Sequence, residues 1–179
     1  MKRNVWVFGL ISGILISAFM VCTMFLCYRS GKFEGNMVMG FSAMLLAFSF
    51  IFVAVKNYRD KYNGGVISFG RAFRIGLFIS LIASTMYVLS WAIEYHLFIP
   101  DWLDKYNAHA IKNLQNSGAG AAEIAEKTKD IKDLSESYKN PVLFVLYTYV
   151  EILPMGLLVS LISALILKKR SNTETIVTA

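Results

Sequence analysis

Glu151 is the one charged residue in the apolar run 142–167, and a carboxyl carried into hydrocarbon is costly enough to mark a candidate proton or ion site. At the rise of an α-helix it lies roughly 15 Å from the start of that run, near the middle of a bilayer. No Lys or Arg shares that depth, so the carboxyl is expected either to be neutral or to sit in a hydrated cavity. Pro154 follows three residues on; it removes a helix hydrogen bond, frees a carbonyl and is expected to kink the helix beside Glu151. Glu94 is a second candidate, about 7 Å below the end of the apolar stretch 75–99 and within reach of the headgroups. Tyr87, Trp91, Tyr95, His96, Tyr147 and Tyr149 occur at similar levels and read as an interfacial belt. If the third and fourth apolar stretches pack face to face, these groups and both carboxyls form an outward-facing polar pocket. Two readings of Glu151 remain open: a protonated acid that hydrogen-bonds across a bundle to Ser, Thr or Tyr, or a proton or cation site.

Other chemistry is thinly supported. His96 and His109 are the only histidines and belong to no HExxH motif, and no P-loop, GxSxG or dinucleotide fingerprint occurs. Cys22 and Cys27 are separated by four residues, which fits neither a CxxC redox pair nor a zinc-ligand set, so both read as packing residues. The expectation is a protein that is not an enzyme, with no catalytic residues, metal or cofactor.

The elements that position these residues are membrane spans. Of the 179 residues 56% are hydrophobic and mean hydropathy is +0.52, more than one soluble core can hide. A span needs about 20 apolar residues, and stretches 5–27, 37–55, 75–99 and 142–167 qualify. The first follows Lys2 and Arg3 as a signal peptide would, but it is too long and lacks a small-residue cleavage site, so a retained anchor is expected. Four spans put Lys2, Arg3, Lys56, Arg59, Lys61, Arg71, Arg74, Lys168, Lys169 and Arg170 on one side, which the positive-inside rule makes cytoplasmic together with both termini. The net charge of +6 forms no basic face with interleaved aromatics, so lipid headgroups are the expected partner rather than nucleic acid.

Between spans, Tyr28 to Asn36 reads as a polar turn with Gly31 and Gly35. The next connection carries Asn63-Gly64-Gly65, a tight turn, then Ser68 as N-cap of the third helix. Arg71 and Arg74 there suit lipid phosphates, or an anion at the helix N-terminus. Segment 100–140 is polar with two helical apolar stripes, Leu103, Tyr106, Ala110 and Leu114, then Ala121, Ile124, Thr128, Ile131, Leu134 and Tyr138. It reads as an amphipathic hairpin outside the membrane, started by Pro100, restarted at Ser117 or Gly118, and followed by Pro141 in the first turn of the last span. Its stripe must rest on its own other helix, the membrane surface or another subunit.

Small residues recur every four positions as Gly9, Gly13 and Ser17, as Gly76, Ser80 and Ser84, and as Gly156, Ser160 and Ala164; Ala43 and Ala47 form a shorter version. Such stripes let helices approach closely in lipid, within a bundle or between subunits. The fold class is therefore an all-α membrane protein with four transmembrane helices and a helical hairpin between the third and fourth, one domain over 1–170 with a flexible tail at 171–179.

The element Gly64-Gly65-Val66-Ile67-Ser68-Phe69-Gly70-Arg71-Ala72-Phe73, the helical insert, Asn140-Pro141, Pro154-Met155-Gly156 and the basic exit Lys168-Lys169-Arg170 resemble a family of bacterial membrane proteins described as domain of unknown function 4199. The resemblance covers nearly the whole chain. It implies four spans and a bacterial inner-membrane location, and carries no activity. The functional expectation is a noncatalytic membrane component that assembles with itself or a membrane-protein partner; the alternative is a proton- or ion-coupled small transporter or channel subunit using Glu151.

Overall fold

Without water to bond exposed peptide groups, an apolar chain satisfies its backbone as helices. The computed structural model describes residues 1–31, 33, 37–118 and 120–169. It consists of α1 (Lys2–Ser30), α2 (Met37–Tyr62), α3 (Phe69–Ile93), a π-helical segment (Glu94–Phe98), α4 (Trp102–Asn116), α5 (Ala121–Tyr138) and α6 (Pro141–Leu167). Lys32, Gly35, Asn36, Arg170 and the 171–179 tail lie outside the described residues. Four segments are long and apolar enough to span a membrane: Lys2–Ser30, Met37–Tyr62, Phe69–Phe98 and Pro141–Leu167.

The helix ends follow local chemistry. Gly31 closes α1 at φ 66°, a left-handed conformation that costs glycine little. Ser68 caps α3, its side chain accepting from the Arg71 N–H. Asn140 caps α6 through the Val142 and Leu143 N–H groups with Pro141 next in line. The third span departs from the expected unbroken α-helix to Ile99. Its last turn widens so that the Ile99 N–H reaches the Glu94 carbonyl at 3.0 Å, and Ile99 leaves the helix at φ −136°, as a residue before proline tends to do. The hairpin also starts later than expected. Asp101, not Pro100, is the N-cap position of α4, and Gly120, not Ser117 or Gly118, that of α5; Gly118 stands at φ 79° in the turn.

The four spans form a ring in the order α1, α3, α6, α2, with the most extensive contacts between α3 and its neighbours α6 and α1. Small residues explain this order. A Cβ added to Gly76 would fall 2.6 Å from the Ser160 Oγ, and one added to Gly156 would fall 2.7 Å from the Ser80 Oγ. The two serine hydroxyls meet at 3.1 Å. Ser80 and Ser160 also bond back to the Gly76 and Gly156 carbonyls, so neither hydroxyl is left bare in an apolar interior. On α1, a Cβ at Gly9 or Gly13 would meet Ile82 at 3.0 Å or the Met86 Sδ at 2.5 Å. Ser17, Ser84 and Ala164 are buried as well. The stripes are thus turned into the bundle, with Phe48, Ile51, Ile75, Ile79 and Ile152 filling the core beside them.

At the basic end, polar contacts lock the helices. Asn4 donates to the Ala54 carbonyl at 2.9 Å and accepts from Asn57 at 3.0 Å. Gly64 and Gly65, at φ 62° and 79°, turn the chain so that Ile67 and Lys169 exchange two backbone hydrogen bonds of 2.9 Å. The glycine motif therefore ties the start of α3 to the exit of α6.

Gly156→Leu should separate α3 from α6, because the new side chain meets Ser80 and the Phe48 ring together. We expect a loss of about 1–3 kcal/mol in detergent unfolding. Gly40→Ala, whose Cβ meets nothing within 4 Å, should stay within about 0.5 kcal/mol. Equal stability of Gly156→Leu and wild type would overturn the assigned helix register.

Candidate functional site

The hairpin end is built around Phe144 on α6, which is 2% exposed. Trp91 stacks on it at 6.5 Å, and Tyr95, His96 and Tyr138 approach at 5.3, 5.3 and 5.4 Å between ring centroids. Trp102 of α4 meets Trp91 edge-on at 5.3 Å. Much of the expected interfacial belt is thus an internal aromatic cap, since offset and edge-on ring pairs bury large area with specific geometry. The widened turn Glu94–Phe98 delivers Tyr95 and His96 to this cap. Of the six residues read as a belt, His96 and Tyr147 are exposed, although Tyr147 still stacks on Tyr138 at 6.0 Å.

The hairpin docks on the same cap. Leu103 is buried, and Tyr106, Ala110, Leu114, Ile124, Thr128 and Ile131 are half-buried. Leu134 is turned outward instead; the seam continues through Ser135, whose hydroxyl accepts from Asn107 at 2.7 Å. The spacing Ile124, Thr128, Ile131, Ser135, Tyr138 keeps a polar residue in the seam, which the apolar pattern alone overlooks. A clasp missed from the sequence joins α1 to the hairpin. The Tyr28 hydroxyl donates to the Asp101 Oδ1 at 2.7 Å, and Lys105 pairs with the Asp101 Oδ2 at 2.6 Å while its Nζ lies 4.6 Å from the Tyr28 ring centroid. The i,i+4 spacing of Asp101 and Lys105 was the available signal.

The two acids have different surroundings. Glu94, expected to reach the headgroups, is buried, and its Oε2 has no hydrogen-bond partner among the described residues. Glu151 faces a cleft of about 610 Å³ at the hairpin end, whose floor includes Tyr87 and whose walls include Met20 and Thr23 of α1, Met44 of α2 and Tyr106 of α4. Its carboxyl forms no hydrogen bond with a described residue, so the expected bond across the bundle is not made. Face-to-face packing of α3 and α6 does occur, but the two acids do not bond each other; Tyr87 lines the cleft with Glu151. Pro154 lies inside α6, is exposed and is not among the residues that line the cleft. Thr85 and Tyr149 bond at 2.8 Å on the outside of the same pair of helices.

The remaining candidates are apart from this cleft. Arg71 donates to the Asn63 side chain at 3.0 Å, and Arg74 is exposed one turn on, so both sit at the basic surface. His96 bonds to the Ala92 carbonyl and His109 to Asn113. Among the described residues no three His, Cys, Asp or Glu side chains gather as a metal set.

Four apolar spans under an extramembrane helical hairpin define a multi-pass helical membrane protein. Within that class the chain belongs to the family described as protein of unknown function (DUF4199), whose model matches residues 7–169. No curated protein and no solved structure matches the chain.

The Lys105 ammonium and then the Tyr28 hydroxyl hold the Asp101 carboxyl below its ordinary value. A lowered folded value means that the clasp is complete above the ordinary Asp range, near about 3.9, and is lost as pH falls through the lowered value. Tyr28→Phe removes one donor. The Asp101 midpoint, followed by carbon NMR, should then move up toward the ordinary value, and an unchanged midpoint would show that the hydroxyl contact does not persist in solution.

Proposed function

We propose that the protein is a noncatalytic component of the bacterial inner membrane, with both termini cytoplasmic, that assembles with itself or another membrane protein through its outer hairpin. The observation that carries this reading is α5, 18 residues without one that is buried. A helix held outside the bilayer with its full outer face free, including Leu134 at 43% exposure, is available to a second surface. The gathering of Lys2, Arg3, Lys56, Lys61, Arg74 and Lys168 at the end opposite the hairpin favours the orientation. Among the described residues no hydrogen bond joins Glu94, Glu151, His96 or His109 to another of the four, which favours a noncatalytic role, because general acid–base chemistry needs its groups within hydrogen-bond reach of one substrate.

An amine-reactive crosslinker applied to native membranes should join α5 to a neighbour through Lys127, Lys129 and Lys132. Replacing these three by Arg, which keeps the charge, should abolish the adduct. A chain recovered only as a monomer, without adducts, would overturn the reading.

One observation favours a second reading, proton- or ion-coupled transport: the Glu151 carboxyl has no hydrogen-bond partner among the described residues and lines a cleft. Proteoliposomes would then show proton or cation flux that Glu151→Gln abolishes while leaving the protein folded. Flux no greater than that of empty liposomes removes this reading.

A further inference from the structure

The spans are closed at the basic end and open at the other. On α2 the buried residues begin at Met44 and continue to Val55, whereas Met37 and Val38 are about three-quarters exposed. On α1 burial ends at Met20, and Phe25 and Leu26 face outward. The cleft is lined mainly by these outer halves of α1 and α2, with Tyr87 of α3, Trp102 and Tyr106 of α4 and Glu151 of α6 completing it. Its size falls within the range of small-molecule sites, about 300–1,000 Å³. The walls are apolar and rich in methionine, a flexible and polarizable side chain that adapts to varied shapes. Tyr87, Trp102 and Tyr106 contribute ring surface, and Glu151 is the one acid among the described residues of the lining.

We propose that this cleft binds a lipophilic cation, a molecule with one positive centre on an apolar or aromatic body, with Glu151 as its counter-charge. Apolar walls gain from the body of such a ligand, and the aromatic faces attract its charge once water is displaced. The carboxyl discriminates. An acid with no cationic partner among the described residues gains one from a ligand that brings a positive centre, and an anionic molecule of the same shape is repelled by it. Lipid chains could fill the apolar walls, but they would be indifferent to the charge of Glu151. The inference is independent of assembly through α5.

The test uses the full chain in detergent micelles with tetraphenylphosphonium as probe and tetraphenylborate as its isostere of opposite charge. Wild-type protein should bind the cation saturably, one per chain, and the borate should not compete. Glu151→Gln should weaken binding by about tenfold or more, a difference of about 1.4 kcal/mol. Thr23→Trp, which adds bulk to the α1 wall and keeps Glu151, should weaken binding comparably and covers the case in which Glu151→Gln fails to fold. Helix content and a monodisperse elution profile serve as folding controls. Equal uptake by wild type and Glu151→Gln would show simple partitioning into apolar surface and overturn the proposal. Competition by the borate, or no saturable binding by folded wild type, would overturn it as well.

Discussion

The close approach of α3 and α6 is the constraint on which the rest of the bundle depends. In lipid, burying apolar surface does not drive helices together, so they must gain dispersion contacts and satisfy polar groups. Gly76 facing Ser160 and Gly156 facing Ser80 supply both. The glycines bring the backbones near, and each hydroxyl bonds its own preceding turn while touching the other across the seam. Once that pair is fixed, α1 lays Gly9 and Gly13 against Ile82 and Met86, and α2 sets Phe48 and Ile51 against the two glycines of the seam.

The same seam accounts for the opening at the other end. Among their buried positions α6 carries Ser160, Gly156, Ile152, Thr148 and Phe144 at four-residue spacing, and α3 carries Gly76, Ser80, Ser84, Val88 and Trp91. These rows start with glycine and serine near the basic end and finish on aromatic rings at the hairpin, and interaxial distance follows the side chains at a contact. A pair spaced by glycine at one end and by Phe144 and Trp91 at the other cannot be covered uniformly by two further helices. The hairpin closes part of the gap through Trp102 and Leu103, pinned to α1 by the Tyr28–Asp101–Lys105 clasp. The cleft is what remains.

Much of this was legible because bilayer thickness acts on length and hydropathy, which a sequence displays directly. The four spans, the Ser68 cap, the Pro141 start and the small-residue stripes were read from local pattern, and each is set by neighbours within one or two turns. What was not legible depends on which faces meet. Glu94 and Glu151 look alike in sequence, an acid within an apolar run. Their exposure is decided by α1, α2 and the cap, which lie far away along the chain. Leu134 has the right type for the hairpin seam and is displaced by Ser135 because Asn107 offers that hydroxyl a partner. The π-helical turn was hidden for a related reason. The extra residue is accommodated by rings from α4, α5 and α6, while its own segment looks like ordinary helix.

Glu94 and Glu151 also show how one bundle keeps two acids in different conditions. The aromatic cap is a cluster of rings, and Glu94 is buried on the turn that supplies two of them. Glu151 lines an open cleft walled mainly by the outer halves of α1 and α2, so a molecule can reach it while the bundle stays closed.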